Sequence, residues 1–497
     1  MRSFARYSFR RIDMQLFACA AVLAGIGAAH AGFKANVFWV VLIASFALVT
    51  WRRRKWLAVL LVVSLSAGLG SLRGAVYMQK LAEYGRLSDQ KLTLLVRAAN
   101  DGVYGQNGQI TFSANHLELT NGQKLAGTLY VSGFGMNAVF QGDELQLNGK
   151  LRTGTGQYQG FVSYAQLTLI AHHSSPVSNV RRRFAAGMQS VLPEPEASFA
   201  LGLLIGQRST LPADVKQDIL MVGLTHIIAV SGYNLTIMLQ AARRLLAGHS
   251  KRLSLLLSLS LIGLFLLLTG SSASIVRAAI VSLLSIWAGY YGRHFRPLNL
   301  IFIAAAITAW ANPFYVWSDV SWYLSFLAFY GVLVIAPLIA VRFRHAWQKT
   351  VLAGVALESI CAEIMTLPIV VFTFGQISLI GLPANMLVVA LIPLAMLLCL
   401  IAGLAGMLAV PIANWLAWPA QIILTYMLDT AHLLSHIPGI FQQNIGLGFW
   451  QMIGLYSLIP LLTFVLTHRS KAARTVISTE VEKSMSTTDL STPLEMT

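Results

Sequence analysis

Charged residues are scarce in this chain of 497 residues. Only 11% of them are Asp, Glu, Lys or Arg, whereas about 25% is usual in soluble domains. Hydrophobic residues make up 56% of the chain, and they are gathered into runs of about 16 to 25 residues, close to the ~20 that cross a bilayer as a helix. This composition excludes an ordinary soluble globular protein and predicts a polytopic α-helical membrane protein.

Cysteine is also rare. Cys19, Cys361 and Cys399 all lie inside apolar runs, so they offer neither a disulfide framework nor a thiolate metal cluster. We expect no cofactor and no metal ligands.

The lysines and arginines set the predicted orientation, because basic residues gather on the cytoplasmic side of membrane spans. The expected spans are residues 14–29, 35–51, 56–72, 226–246, 253–269, 274–291, 298–311, 321–341, 350–374, 386–409 and 449–467, with an amphipathic segment at 414–436. If both termini are cytoplasmic, the basic links at 52–55, 243–252, 293–296 and 342–349 all fall inside, whereas the arginine triplet at 181–183 falls outside. We therefore expect about 11–12 spans in the bacterial cytoplasmic membrane, although the first run alone also resembles a signal peptide.

The net charge of +17 does not by itself indicate a nucleic-acid partner. Most basic residues fall on the predicted cytoplasmic links, and residues 73–226 carry 13 basic and 10 acidic side chains. Topology therefore explains most of the positive charge.

Changes in hydropathy and composition along the sequence divide the chain into five parts. We expect a three-span region (1–72), an outward-facing β domain (73–175), amphipathic or interfacial helices (176–225), the main membrane domain (226–467) and a disordered cytoplasmic tail (468–497).

The β domain is predicted from five short segments with alternating apolar residues. They cover residues 91–98, 109–119, 125–131, 143–151 and 161–170. Five strands in so short a stretch fit a small closed barrel such as the OB-fold, which commonly holds single-stranded nucleic acid or oligosaccharide. Another small barrel or a sandwich has the same strand count.

Single-strand binding needs aromatic rings for base stacking and cations that follow the backbone. The β domain offers Tyr104, Phe112, Tyr130, Phe134, Tyr158 and Tyr164 as rings, and Lys91, Arg97, Lys124, Lys150 and Arg152 as cations. The rings could instead fill the barrel. The predicted nucleic-acid contacts are Lys150, Arg152, Tyr130, Arg181, Arg182 and Arg183. The arginine triplet fits either anionic lipid headgroups or an incoming polyanion.

The most informative motif is Gly223-Leu-Thr-His-Ile-Ile-Ala-Val-Ser-Gly-Tyr-Asn-Leu235. It resembles the Gly-Leu-Ser-His-Leu-Leu-Ala-Ile-Ser-Gly-Leu-His-Val signature of ComEC-type competence proteins, with Asn234 in place of the second His. Further segments resemble that family in the same order: Asn299 to Pro313, Asp319-Val-Ser-Trp-Tyr-Leu-Ser-Phe326, Phe374-Gly-Gln-Ile-Ser378 with Gly381 and Asn385, and Gly142-Asp-Glu-Leu-Gln-Leu-Asn-Gly-Lys-Leu151.

The resemblance implies passage of one DNA strand across the membrane during natural transformation. It describes a transport protein and not an enzyme. No His-x-His-x-Asp-His occurs among the 11 His, so we expect no nuclease domain of the metallo-β-lactamase type. The implied partners are single-stranded DNA, the lipid bilayer, and a separate nuclease, DNA receptor and cytoplasmic translocation motor.

A strand with one charge per phosphate cannot enter hydrocarbon, so its path must offer water, polar groups and helix N-termini. The predicted path residues are His226, Ser231, Gly232, Asn234, Arg277, Asp319, Ser325, Gln376, Ser378 and Asn385. We expect helix breaks at Ser231-Gly232 and at Gly270-Ser271-Ser272. Arg277 either touches phosphate or pairs with Asp319, and a static ion pair between helices is the structural alternative.

Two other functions fit parts of the sequence. Inverted repeats would indicate a secondary transporter of a small solute. The two halves of this sequence show no similarity to each other. An intramembrane serine protease would use Ala229-Val-Ser231-Gly232 with His432.

Overall fold

The computed structural model describes residues 11–32, 55–104, 108–136, 138–154, 158–172, 176–207, 210–228, 250–269, 273–290, 296–342, 351–409 and 411–468. The chain forms two compact units. The first contains Met1–Asn179 and Phe302–Tyr323, and the second contains Val180–Ile301 and Leu324–Thr497.

The protein is mainly helical, with one small β domain, as the composition and the alternating segments predicted. The helices are α1 (Arg11–His30), α2 (Lys55–Leu87), α3 (Pro176–Val191), α4 (Glu196–Ile205), α5 (Ala213–Met221), α6 (Thr225–Ile228), α7 (Lys251–Thr269), α8 (Ala273–Tyr290), α9 (Pro297–Ala311), α10 (Phe314–Ser318), α11 (Val320–Tyr330), α12 (Ala336–Arg342), α13 (Val351–Phe374), α14 (Gly381–Val388), α15 (Ile392–Met407), α16 (Ala413–Ser435) and α17 (Phe449–His468). The strands are β1 (Lys91–Ala98), β2 (Val103–Tyr104), β3 (Ile110–Leu119), β4 (Lys124–Leu125), β5 (Leu129–Phe134), β6 (Glu144–Thr153), β7 (Gly160–Ala171), β8 (Ile377–Ser378) and β9 (Phe441–Gln442).

Within the described ranges, four helical stretches are long and apolar enough to cross a membrane. They are Val59–Leu87, Val320–Ala340, Ala356–Phe374 and Gly381–Met407. Six shorter apolar helices accompany them: Met14–His30, Glu196–Ile205, Arg252–Leu267, Ser274–Trp287, Pro297–Ala311 and Phe449–Ile459. These helices identify a membrane protein. The predicted span at 35–51 lies outside the described residues, as do nearly all of the predicted span at 226–246 and residues 469–497 of the predicted tail.

In the first unit, α1 and α2 pack through glycine. A Cβ on Gly25 would lie 2.1 Å from the Ala67 carbonyl oxygen, and one on Gly70 would lie 2.3 Å from that of Val22. Small residues of this kind let membrane helices approach closely.

Helix α2 continues to Leu87, beyond the end at residue 72 that apolarity alone predicted. The added turns carry good helix formers, and Tyr84 at their end is buried in the core of the β domain. Its hydroxyl donates a hydrogen bond to the Ala126 carbonyl at 3.0 Å. The helix is therefore prolonged because it docks on the barrel.

The five long strands of the β domain close into a ring in the order β1–β3–β5–β7–β6–β1. Only β5 and β7 run parallel, and the other pairs of the ring are antiparallel. The third predicted segment, 125–131, is displaced: the long strand is β5, and β4 forms a separate two-residue pair with β3. Gly127, at φ +117°, separates the two, because L side chains rarely adopt that conformation.

The second unit has its core around α4, in which every residue is buried. Phe184 and Met188 on one face of α3 join the same core. A Cβ on Gly406 would lie 2.1 Å from the Gly187 carbonyl oxygen, so α3 and α15 also meet through glycines.

Two predicted spans contain irregular turns that hydropathy did not reveal. A π-helical turn, Gly331–Ile335, separates α11 from α12, and a 3-10 turn, Val389–Leu391, separates α14 from α15. At the π turn, a Cβ on Gly331 would lie 2.5 Å from the Cys361 carbonyl oxygen. Such turns bend a helix and re-aim its side chains.

Candidate functional site

The candidate site of the second unit begins at the turn after α5. Gly223 has φ +79°, and a Cβ at this position would lie 3.1 Å from the Ser378 Cβ and 3.4 Å from its Oγ. Glycine therefore provides both the left-handed backbone and the room that Ser378 needs. The motif Gly223-Leu-Thr-His226 is thus brought against the Phe374-Gly-Gln-Ile-Ser378 motif.

The loop that carries Ser378 is held by backbone hydrogen bonds. Strand β8 pairs antiparallel with β9, with Ser378 opposite Phe441. The Leu379 N–H donates to the Ile440 carbonyl at 2.8 Å, and the Ile445 N–H donates to the Gly375 carbonyl at 2.9 Å. The serine is therefore presented by a braced segment between α13 and α14.

One more polar side chain lies beside this turn, and another follows on the same face of α14. A Cβ on Gly381, at the start of α14, would lie 3.1 Å from Glu363 Oε1 and 3.9 Å from the Ser378 Cβ. Asn385, one turn further along α14, is 7% exposed. We call Gly223, Glu363, Ser378, Gly381 and Asn385 the polar cluster.

Three oxygens of the polar cluster are buried without a hydrogen-bond partner among the described residues. They are Glu363 Oε2, Ser378 Oγ and Asn385 Oδ1. An unmade hydrogen bond at a buried polar atom costs about 1–3 kcal/mol. The cluster can therefore accept hydrogen bonds from water or from a polar ligand inside the helical unit.

Arg277 and Asp319 are each 1% exposed. Asp319 Oδ1 accepts a hydrogen bond from the Ser321 N–H at 2.9 Å, and this interaction caps the start of α11. Arg277 lies on α8 in the second unit and Asp319 lies in the first. Their pairing stays a prediction.

The remaining predicted path residues are exposed, half-buried or outside the described part of the chain. His226 is exposed on α6, with its Nδ1 3.3 Å from the Gly223 carbonyl oxygen. Ser325 and Gln376 are half-buried. Ser231, Gly232 and Asn234, and the expected break at Gly270-Ser271-Ser272, lie outside the described residues.

In the β domain, three of the five predicted cations pair with carboxylates. Lys150 Nζ lies 3.0 Å and Arg152 Nε lies 3.9 Å from the same oxygen of Asp89. Arg97 donates to Glu144 at 2.6 Å. These exposed pairs lower the positive charge available to a polyanion.

The rings of the β domain are divided between the core and the surface. Phe112 fills the core, whereas Tyr164 is 72% exposed and stacks on Phe134 with ring centroids 6.3 Å apart. Tyr130 lies 5.3 Å from Tyr158, and burial, with Tyr130 nearby, raises the pKa of Tyr158. The rings therefore do not simply fill the barrel.

Two half-buried rings, Tyr130 and Tyr158, meet Phe161 in one aromatic cluster, with centroids 5.9 and 6.1 Å from the phenylalanine ring. The arginine triplet lies on α3, where Arg183 is exposed and Arg181 and Arg182 are half-buried. The Tyr104 side chain lies outside the described part of the molecule.

Two groups of polar residues were missed from the sequence. Glu363 belongs to the polar cluster, although the sequence indicates only that a charge inside a predicted span faces protein or water. Asp218 Oδ2 lies 2.8 Å from His432 Nδ1, across 214 residues of chain. No spacing motif predicts a pair so distant, and its contact is visible only in the folded chain.

The segment that contains the polar cluster matches a known family. The competence protein family matches residues 203–469, which is more than half of the chain. The chain belongs to the competence protein family. A relative of this competence protein is ComE operon protein 3 of Bacillus subtilis (strain 168), which is 24% identical over 215 residues. That match covers 43% of this chain and 27% of the relative.

This chain thus aligns with only about a quarter of the length of ComE operon protein 3. No solved structure matches this chain. All five residues of the polar cluster lie inside the family segment, and the β domain lies before it.

Proposed function

We propose that this competence protein passes a single strand of DNA across the bacterial cytoplasmic membrane during natural transformation. The observation that carries the proposal is the polar cluster, whose unpartnered oxygens lie within the segment shared with the competence family. A membrane protein of this family that holds buried hydrogen-bonding groups between apolar helices has the chemistry that a polar polymer requires.

The cluster suits the bases of a single strand. A carboxylate repels a phosphate, and an amide oxygen has no hydrogen to donate to it. Both kinds of oxygen accept hydrogen bonds from the amino groups of bases. Glu363 and Asn385 supply such acceptors, and Ser378 both donates and accepts. Arg277, buried in the same unit, supplies the positive charge for a phosphate.

The rest of the path draws on His226, Ser231, Gly232, Asn234, Asp319, Ser325 and Gln376. Residues 226–467 form the channel domain of this proposal, and the chain crosses the membrane several times with both termini in the cytoplasm.

The β domain is proposed to be an OB-like, extracytoplasmic module that receives the strand. Its support is the ring order β1–β3–β5–β7–β6 with one parallel pair, because the OB-fold is a five-stranded Greek-key barrel that binds oligonucleotides through the face of its second and third strands and nearby loops. Tyr130 lies on β5, the third long strand, and its partner Tyr158 precedes β7. Lys150, Arg152 and the triplet Arg181, Arg182 and Arg183 supply cations.

The proposed route also needs other proteins. A DNA receptor would deliver the strand, a separate nuclease would degrade its complement, and a cytoplasmic motor would draw it inward.

The test is uptake of labelled DNA by a deletion strain complemented with variants of the full chain. Ser378→Leu fills the space beside Gly223 with an apolar side chain, so we expect transformation to fall by at least about tenfold, equivalent to 1.4 kcal/mol. The matched control is Ser457→Leu, since Ser457 is an exposed helical serine that donates to the Gly454 carbonyl at 2.7 Å.

Membrane levels of both variants are measured by immunoblotting, and surface-bound DNA is measured as label that added DNase removes. Reduced transformation by Ser378→Leu with normal membrane levels and normal surface binding supports the proposal. Normal entry of label into cells that lack the protein altogether contradicts it.

A further inference from the structure

Three side chains of the types that ligate metals lie together at the end of α16. His432 and His436 lie one helical turn apart, and Asp218 comes from α5. One ligand atom from each residue lies within 4.8 Å of the other two. In the described ranges, no other three His, Cys, Asp or Glu side chains come together in this way.

Hydrogen bonds orient the three side chains. Asp218 Oδ2 lies 2.8 Å from His432 Nδ1, and Asp218 Oδ1 accepts a hydrogen bond from the Ser435 hydroxyl at 2.7 Å. His436 Nδ1 lies 2.8 Å from the His432 carbonyl oxygen, to which it donates. A proton on Nδ1 leaves the Nε2 lone pair of His436 available for a metal ion.

The ligand set selects the class of ion. Two imidazoles and one carboxylate form the three-ligand set of an open zinc site, with the fourth position left for water. Imidazole nitrogen favours Zn²⁺, Cu²⁺ and Ni²⁺, whereas Mg²⁺ and Ca²⁺ prefer oxygen alone.

The spacing of the three side chains is compatible with a bound ion. Ligand atoms at about 2.1 Å from a tetrahedral zinc ion lie about 3.4 Å apart, so small rotations of the side chains suffice to close a separation of at most 4.8 Å. The His432 side chain is 66% exposed. An ion can therefore enter from solvent without opening the core.

We infer that Asp218, His432 and His436 form a binding site for a zinc-class divalent ion, which cross-links α5 to the end of α16. The two helices are far apart in sequence, and α5 leads directly into Gly223 and the polar cluster. The bound ion holds the segment that presents Gly223.

The test uses the full chain in detergent, purified with a tag that contains no histidine and stripped of metal with EDTA. Calorimetric titration with ZnCl2 is expected to show one site. His432→Ala and His436→Ala are expected to weaken zinc binding at least tenfold, because each removes one of three ligands. Asp218→Asn is expected to weaken it in the same direction.

The matched control is His172→Ala. His172 Nδ1 lies 2.8 Å from Asp143 Oδ1 in the β domain, so it forms a His–Asp pair of the same length, and no third ligand joins that pair among the described residues. Zinc affinity and stoichiometry are expected to be unchanged in this variant.

A second measurement does not depend on any variant. CoCl2 added to the stripped wild-type chain is expected to give the visible absorption of a four-coordinate cobalt site with nitrogen ligands, and ZnCl2 is expected to bleach it. The inference is overturned if the wild-type chain shows neither zinc binding nor this spectrum. It is equally overturned if the folded His432→Ala and His436→Ala chains bind zinc as tightly as the wild type.

Discussion

Three exposed cations of the β domain are paired with carboxylates, whereas three buried oxygens of the second, helical unit have no hydrogen-bond partner in the described part of the chain. In the β domain, Arg97 pairs with Glu144, and Lys150 and Arg152 share Asp89. In the helical unit, the buried oxygens of Glu363, Ser378 and Asn385 have no hydrogen-bond partner among the described residues.

The difference indicates that the β domain is arranged mainly for stability and the polar cluster mainly for function. Exposed ion pairs contribute only about 0–1 kcal/mol each, so the stability of the barrel depends on its apolar core. Buried polar atoms without partners lower stability, and a ligand that supplies the missing hydrogen bonds is one physical reason to retain them. The polar cluster is therefore where substitutions test the proposed cargo.

The largest expected effect is in the barrel core. Phe112→Ala removes a fully buried ring, and we expect the free energy of unfolding of the barrel to fall by about 3–5 kcal/mol. Hydrogen exchange of barrel peptides in the full chain measures the loss. Tyr164→Ala, which truncates a largely exposed ring, is the control and is expected to change exchange little. Equal effects of the two variants would refute the assignment of the core.

In the polar cluster we expect one substitution of intermediate effect to raise stability and to lower DNA uptake. Asn385→Leu removes an unpartnered buried oxygen, so we expect stability to rise by about 1 kcal/mol while DNA uptake falls. Thermal unfolding in detergent and a transformation assay measure the two changes.

The control for Asn385→Leu is Thr366→Val. The Thr366 hydroxyl already donates to the Ala362 carbonyl at 3.0 Å, so its loss is expected to give no gain in stability and no fall in uptake. A loss of stability in Asn385→Leu would mean that the amide has a structural partner, and the contrast between the two units would fail.

The smallest expected effect is on the barrel surface. Asp89→Asn releases Lys150 and Arg152 from their shared carboxylate, and we expect single-stranded DNA to bind about threefold more tightly at low salt, with the gain lost at high salt. Fluorescence anisotropy of a labelled oligonucleotide measures the affinity. Glu118→Gln removes one negative charge elsewhere on the barrel, and an equal gain there would show a response to net charge alone.

Local patterns predicted much of the fold. The alternation from Leu145 to Leu151 correctly indicated a half-buried strand, since side chains of a strand point to alternate faces. Hydropathy gave the ends of α9 and α17 to within one residue of the structure. It missed the turns at Gly331–Ile335 and Val389–Leu391, because those depend on what the neighbouring helix requires.

The sequence by itself determined the membrane class, four of the five long strands of the small β domain and the motif at Gly223 that marks the family. These follow from composition and from spacing within a few residues, which act locally. Only the tertiary structure decided that Gly223 meets Ser378, that Asp89 pairs with Lys150 and Arg152, and that Asp218 meets His432. Those contacts join segments that are separate in the chain, and packing, not local pattern, brings their side chains together.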